Sequence, residues 1–267
     1  MISVESAITR VQRSVQLSSA LNGLLVAVII LFPLLQAKFK WPIDSIVALS
    51  IVGAVWIFLF LQSMRSSRLV ADSPSLIAAG QFDIAEQKID TALRSFSIFR
   101  AVKLLGLHHL AALRHAQNRW QDAATLCRAL LAQRRVAGQG IGRSTQLMLA
   151  DSLLELDDVP GVGNSLAHLY TQRLSLGEAL SLLLVQLDFE SRVGSWQNMM
   201  QGVSTKATLA ELMPTNKSAR AQAFLALAAR KTGRDDWESW LRRRVELLVD
   251  PQELCVRRPI LRELWLA

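Results

Sequence analysis

Two uncharged apolar runs lie close together near the start of this chain, and they constrain it more than any other feature. Leu17 to Leu35 reads LSSALNGLLVAVIILFPLL, and Ile46 to Leu61 reads IVALSIVGAVWIFLFL. A helix that crosses a bilayer needs roughly 17–25 mostly apolar residues. Both runs approach that length, the second when Ile43 to Ser45 extend it. Two apolar helices buried in a soluble core are the alternative, but apolarity on all sides over this length is rare there. The linker Ala37-Lys38-Phe39-Lys40-Trp41-Pro42 is short, so two helices flanking it must run antiparallel. Trp41 and the two lysines suit the headgroup zone, and Asp44 lies near enough to that interface to stay hydrated. Gly23 and Ala27 on one helix, and Ser50, Gly53 and Ala54 on the other, are small enough to permit close helix approach. Neither apolar run contains His, Lys, Arg, Asp or Glu. That removes the usual marker of an ion or proton path, and the hairpin reads as an anchor.

Charge gives the expected orientation. Net charge is +8 over 267 residues, and residues 1–70 supply +4 of it. Arg10 and Arg13 precede the first run, Arg65 and Arg68 follow the second, and only Lys38 and Lys40 lie between. The excess of flanking arginine places both ends in the cytoplasm. Leu35-Gln36-Ala37 lacks the small residue a signal-peptidase site requires, and a second apolar run follows at once, so cleavage is not expected. Cys127 and Cys255 sit in no metal-ligand or CxxC spacing and form no disulfide framework.

From residue 72 the chain reads as helix throughout. Asp72-Ser73-Pro74 is a helix start, with proline at the first helical turn. A pattern then recurs: a turn former, a large apolar residue, and a small or apolar residue one helical turn later. Gly80 precedes Phe82 and Ala85; Asn118 precedes Trp120 and Ala123; Asp157 precedes Val159 and Val162. Gly194 precedes Trp196 and Met199; Gly233 precedes Trp237 and Trp240. The large residues recur at intervals of 38, 39, 37 and 41 residues. Nine residues before the last four stand Ala111, Ala150, Leu187 and Ala228. Such spacing predicts stacked helix pairs, each unable to bury its own apolar face alone. Trp120 and Trp196 are expected to plug the gaps between paired helices and to be deeply buried. The last stretch, 251–267, is expected to cap the exposed end of the array.

On these residues the chain resembles the tetratricopeptide-repeat (TPR) superfamily. The closest matches are Ala78-Ala79-Gly80-Gln81-Phe82-Asp83-Ile84-Ala85, with Ala92 beyond, and Ala116-Gln117-Asn118-Arg119-Trp120-Gln121-Asp122-Ala123. The resemblance covers about residues 74–250. The period exceeds the ~34 residues of that superfamily, and the later repeats lack the alanine after the marker. Two membrane helices ahead of such repeats also resemble the HemY family in architecture. Here, however, the loop is shorter and no long basic run follows the second helix. The resemblance implies a concave surface that holds a protein or peptide segment. In its register that surface carries His108, Ala112 and His115 on one helix, and Asp151, Asp188 and Ser191 on later ones.

No catalytic constellation emerges. His108, His109 and His115 fall on one helix, but without the i, i+4 pairing and the acidic or thiol partner of a zinc site. No metal or other cofactor is therefore expected. Arg242-Arg243-Arg244 reads as a solvated face rather than a nucleic-acid surface. Gly161-Val162-Gly163 is no phosphate loop, because no strand precedes it and no GK[ST] follows. The expected fold is all-α: a two-helix transmembrane hairpin followed by a TPR-like α-solenoid of about five helix pairs. The expected divisions are an N-terminal segment 1–15, the hairpin 16–64, repeats 72–250 and a cap 251–267. The expected function is a membrane-tethered, non-enzymatic adaptor or scaffold. The alternative is an accessory subunit whose hairpin packs against other membrane helices.

Overall fold

Leucine and alanine are the commonest residues of the chain, and such unbranched-at-Cβ or small side chains lose little freedom in a helix. The computed structural model describes residues 2–39, 45–133 and 140–265, and every regular element among them is helical. Residues 40–44, which include Lys40, Trp41 and Asp44 of the hairpin linker, lie outside the described residues. The chain divides into two compact units, 1–145 and 146–267.

The first unit contains α1 (Val4–Phe39), α2 (Ser45–Ala71), α3 (Ser73–Ala78), α4 (Phe82–Arg94), α5 (Arg100–Ala116), α6 (Trp120–Leu131) and the start of α7 (Gly140–Glu155). The two long helices are not separate from the helical domain. The first turns of α1 pack on α4, α5 and α6, burying Ile2, Ala7 and Val11. The last turns of α2 pack on α4 and α5, burying Ser63, Ser66 and Val70. Arg114 is fully buried and forms a forked pair with Glu86, at 2.9 and 3.1 Å, while donating to the Ile2 carbonyl at 3.1 Å. The Ile2 amide donates to the same carboxylate at 2.6 Å. Arg10 reaches Asp90 at 3.3 Å. These bonds tie the first turns of the chain to α4 and α5.

The second unit holds the rest of α7, then α8 (Val159–Tyr170), α9 (Leu176–Arg192), α10 (Trp196–Met200), α11 (Val203–Glu211), α12 (Thr215–Lys231), α13 (Asp235–Leu248), α14 (Pro251–Arg257) and a 3-10 segment, Pro259–Leu264. Its centre is α12. Ala219, Ala221 and every residue from Ala223 to Ala229 are fully buried there. The alanines let α9, α10, α11 and α13 approach closely, and Phe224, Leu225 and Leu227 fill the space between. Burying each such large side chain contributes roughly 1.5–3 kcal/mol. Leu261 and Leu264 of the 3-10 segment are also fully buried and pack with α12.

Local signals set several helix starts. Ser175 and Glu178 form a reciprocal capping box at α9. The Asp158 carboxylate accepts from the Gly161 amide at 3.0 Å, with Pro160 in the first turn of α8. Asp250 does the same for Gln252 at 2.9 Å ahead of Pro251.

Five helix ends follow one geometry. Gly80, Asn118, Asp157, Gly194 and Gly233 all have φ between 58° and 73°. After each, the next amide reaches back five residues to a carbonyl: Gln81 to Leu76, Arg119 to Arg114, Asp158 to Leu153, Ser195 to Glu190, and Arg234 to Ala229, all at 2.9 Å. This is the Schellman closure, which satisfies carbonyls that a helix end leaves unpaired. Phe82, Trp120, Val159 and Trp196 are then the first residues of their helices, while Trp237 is the third of α13.

These five large residues are only partly buried, Trp120 and Trp196 included, so the expectation of deep burial fails. A residue opening a helix sits at the rim of the turn, where one face of its ring stays in solvent. The deep positions are the smaller ones. Ala85, Ala123, Val162 and Met199, one turn later, and Ala111, Ala150, Leu187 and Ala228, nine residues earlier, are all fully buried.

Candidate functional site

The sequence-derived candidates fall into two groups, one in each unit. On α5, His108 uses both ring nitrogens. Nδ1 lies 3.0 Å from the Thr145 hydroxyl and Nε2 lies 3.0 Å from the Ser144 hydroxyl. Burial, assisted by neighbouring His109, pushes its pKa down to about 4, so it is neutral at physiological pH. His109 is buried, with Nδ1 3.0 Å from the Val70 carbonyl of α2. His115 stands edge-on to Trp120, with ring centroids 4.9 Å apart. Ala112, between them, is half-buried. The helix therefore carries its histidines as packing and hydrogen-bonding groups. Among the described residues, no cluster of three or more His, Cys, Asp or Glu side chains is placed to hold a metal ion.

Lys103, also on α5, is 1% exposed. Its ammonium donates to the carbonyls of Ala92 and Leu93 at 2.9 Å and to that of Ser95. It thereby closes the C-terminal end of α4, where carbonyls and helix dipole both favour a cation. Burial pushes its pKa down to about 8, and the three carbonyls act against that loss of charge. Burial also pushes the Cys127 thiol up to about 12, which leaves it unreactive.

In the second unit, Asp188 and Asp151 belong to a cluster of opposed charges. Asp188 is 1% exposed and accepts from Arg258 Nε at 2.6 Å and Arg192 Nε at 3.1 Å. Arg258, from the C-terminal segment, also grips Glu155 with both terminal nitrogens, at 2.8 and 3.0 Å. Arg257 adds a bond to Glu155 at 2.9 Å. Arg220 lies 3.7 Å from Asp151. The Ser191 hydroxyl donates to the Asp188 carbonyl at 2.7 Å. Burial would raise the pKa of Glu155, but Arg258 and Arg257 prevail and hold it below the usual carboxylate value. Burial likewise opposes the charge on Arg258, and Glu155 and Asp188 more than restore it.

Asp188 is thus consumed by arginines of its own chain, and Ser191 is 2% exposed beneath it. Arg257 and Arg258 belong to no recognisable motif in the sequence, and nothing there assigns a role to Glu155. The partners lie 70 and 103 residues apart, and no local pattern couples them.

The remaining candidate is the outer surface of the two long helices. Phe58 is 67% exposed, Ile51 61%, Leu24 60% and Ile30 58%. Val26, Val55, Trp56, Ile57 and Leu61 are exposed too. One stretch, Ser50–Ala78, is long and apolar enough to cross a membrane. The first run does not pass the same test among the described residues. Its side chains from residue 32 onward lie outside the description. Its opening residues pack on the first unit: Ser18 is buried and the Asn22 amide faces the Ile98 carbonyl at 3.5 Å. The small residues expected to seat the helices together do not do so at the glycines. A Cβ placed on Gly23 or Gly53 meets nothing within 4 Å. No protein-family model, curated protein or solved structure matches the chain.

Proposed function

We propose that this chain is a membrane-tethered helical scaffold: α1 and α2 enter the bilayer as a hairpin, and the helix pairs beyond them bind a protein or peptide partner. The observation that carries the tether is the set of large exposed apolar side chains on α1 and α2 among the described residues. An exposed apolar surface of this kind marks a membrane or partner contact. The recurrent closure after Gly80, Asn118, Asp157, Gly194 and Gly233 supports reading the rest as a TPR-like solenoid. The scaffold acts by binding rather than by catalysing a reaction, and both chain ends face the cytoplasm.

A reporter fused after Ala267 tests orientation together with one inserted between Phe39 and Ser45. Cytoplasmic activity of the first and exported activity of the second support two spans. The same side for both reporters removes the hairpin.

Partner binding needs a different probe from Asp151 and Asp188, half-buried and buried, which pair with arginines of their own chain. Leu247 is 86% exposed and Val256 77%. Leu247→Asp leaves the core intact, so lost partner capture with unchanged membrane assembly supports the adaptor. Unchanged capture with lost assembly supports instead the accessory subunit of a larger membrane complex.

A further inference from the structure

The connection between α4 and α5 reads Ser95-Phe96-Ser97-Ile98-Phe99, flanked by Arg94 and Arg100. Ser97 and Ile98 are buried and Ser95, Phe96 and Phe99 half-buried, so this short connection carries two partly covered aromatic rings where turns usually favour small polar residues. The connection is pinned to both long helices. The Ile98 amide donates to Ser63 Oγ of α2 at 3.0 Å, and the Ile98 carbonyl faces Asn22 of α1 at 3.5 Å. Ser95 and Ser66 share a hydrogen bond at 2.7 Å. Phe99 meets Phe60 edge-on at 5.6 Å between centroids. Within the connection, the Phe99 amide donates to Ser97 Oγ at 3.2 Å, and Ser97 is fully buried. Asn22, Ser63 and Ile98 therefore share one level. Phe96 and Phe99 lie beside that level and remain partly exposed.

Length then locates the level relative to a bilayer. From Asn22 to the end of α1 at Phe39 is 17 residues, and from the start of α2 at Ser45 to Ser63 is 18. At ~1.5 Å per residue these reach roughly 25–27 Å. The hydrocarbon core is ~30 Å thick. A hairpin of that reach cannot cross while holding the helical unit at a distance from the membrane. Arg94 pairs with Asp90 at 2.7 Å, while the α2 residues just beyond Ser63 bring further positive charge. Arg65 and Arg68 are exposed on α2 just beyond Ser63, and Arg94 is exposed at the end of α4. No acidic residue lies between Arg10 and Arg68 other than Asp44 in the hairpin linker.

Resting on the tether proposed above, we infer that the Ser95–Phe99 connection is a third membrane contact, which lays Phe96 and Phe99 into the headgroup interface and sets Arg65 and Arg68 against lipid phosphates. Phenylalanine inserts at the boundary of headgroups and acyl chains in interfacial segments, and arginines there meet anionic lipid. The contact fixes the first unit against the bilayer surface.

The test places a nitroxide label on the full chain in vesicles of phosphatidylcholine and phosphatidylglycerol. Phe96→Cys, Ile84→Cys and Val26→Cys are each labelled in a Cys255→Ser background, Cys127 being buried. Accessibility to oxygen and to a water-soluble nickel chelate reads depth. The expected ratio of oxygen to chelate accessibility is several-fold higher at 96 than at 84, and highest at 26. Arg94→Cys, whose side chain is 65% exposed, provides a second reporter should the label at 96 perturb the connection. Its expected ratio lies between those at 84 and 96. A deep label at 26 with chelate-accessible labels at both 96 and 94 overturns this contact and leaves the tether standing. A chelate-accessible label at 26 overturns the tether and this contact with it.

Discussion

Helices α2 and α12 each contain a long stretch without charge, Ile46–Met64 in one and Ala221–Ala229 in the other, yet they meet different surroundings. On α12 every residue of that stretch is buried, because its many alanines allow neighbouring helices to close on all sides. Between Ser50 and Arg65 of α2, only Ser63 is buried. There the outward residues are Ile51, Val55, Trp56, Ile57, Phe58 and Leu61, large side chains that stay exposed. The lesson is that apolarity alone does not say what covers a helix. Small residues mark α12 as a helix that other helices enclose. Large residues facing outward mark α2 as a helix that other helices leave uncovered, and it is long and apolar enough to cross a membrane.

Identical substitutions in the two helices separate these cases. Phe224→Ala in α12 removes a fully buried ring. It is expected to lower the stability of the second unit by ~3–5 kcal/mol, read as a fall in its melting midpoint in detergent. A small effect would mean that α12 is not the centre of that unit.

The arginine–carboxylate cluster beside it gives the next effect. Arg258→Ala leaves Asp188 and Glu155 without their guanidinium and is expected to cost roughly 3 kcal/mol, at the low end for a broken buried pair, since Arg192 and Arg257 remain. The cluster also predicts a pH dependence. Glu155 titrates in the fold below its ordinary value of 4.5. Its contribution is therefore complete above that value and lost as pH falls through the lower folded value. Melting midpoints measured downward from pH 5 should decline in the wild type and decline less in Arg258→Ala. Equal slopes would contradict the assignment.

Backbone geometry gives a smaller change. Gly233 has φ 68°, and a Cβ there meets nothing within 4 Å. Gly233→Ala thus isolates the cost of a left-handed alanine, about 1–2 kcal/mol, and Gly233→Asn should recover much of it. Equal stability of all three proteins would remove the closure from the account. Smallest of all, Phe58→Ala on α2 should change the detergent-solubilised midpoint by no more than about 0.5 kcal/mol, because no protein packs on that ring. A loss as large as that of Phe224→Ala would show protein cover on α2.

Much of the fold was legible because its signals are local. Gly80, Asn118, Asp157, Gly194 and Gly233 announce helix ends through their tolerance of positive φ, and Phe82, Trp120, Val159 and Trp196 follow as helix starts. Depth was less legible. The large aromatic at each turn drew the expectation of burial, whereas the core positions are the alanines and small apolar residues around it. The packing of the first turns of α1 on α4 and α5 was not legible either, since Ile2 and Glu86 are 84 residues apart. The candidate surface fared similarly. Asp188 looks available in sequence, and only the fold brings Arg258 to it from 70 residues away. His108 likewise shares its helix with His115, but Ser144 and Thr145 occupy its ring nitrogens.

The central claim is that lipid covers what protein leaves bare on α1 and α2. Alkaline carbonate extraction of membranes containing the full chain, followed by flotation of the pellet through a density gradient, tests it most directly. The account predicts that the chain resists carbonate and floats with the lipid. Release of the chain into the carbonate supernatant as a soluble species would contradict it.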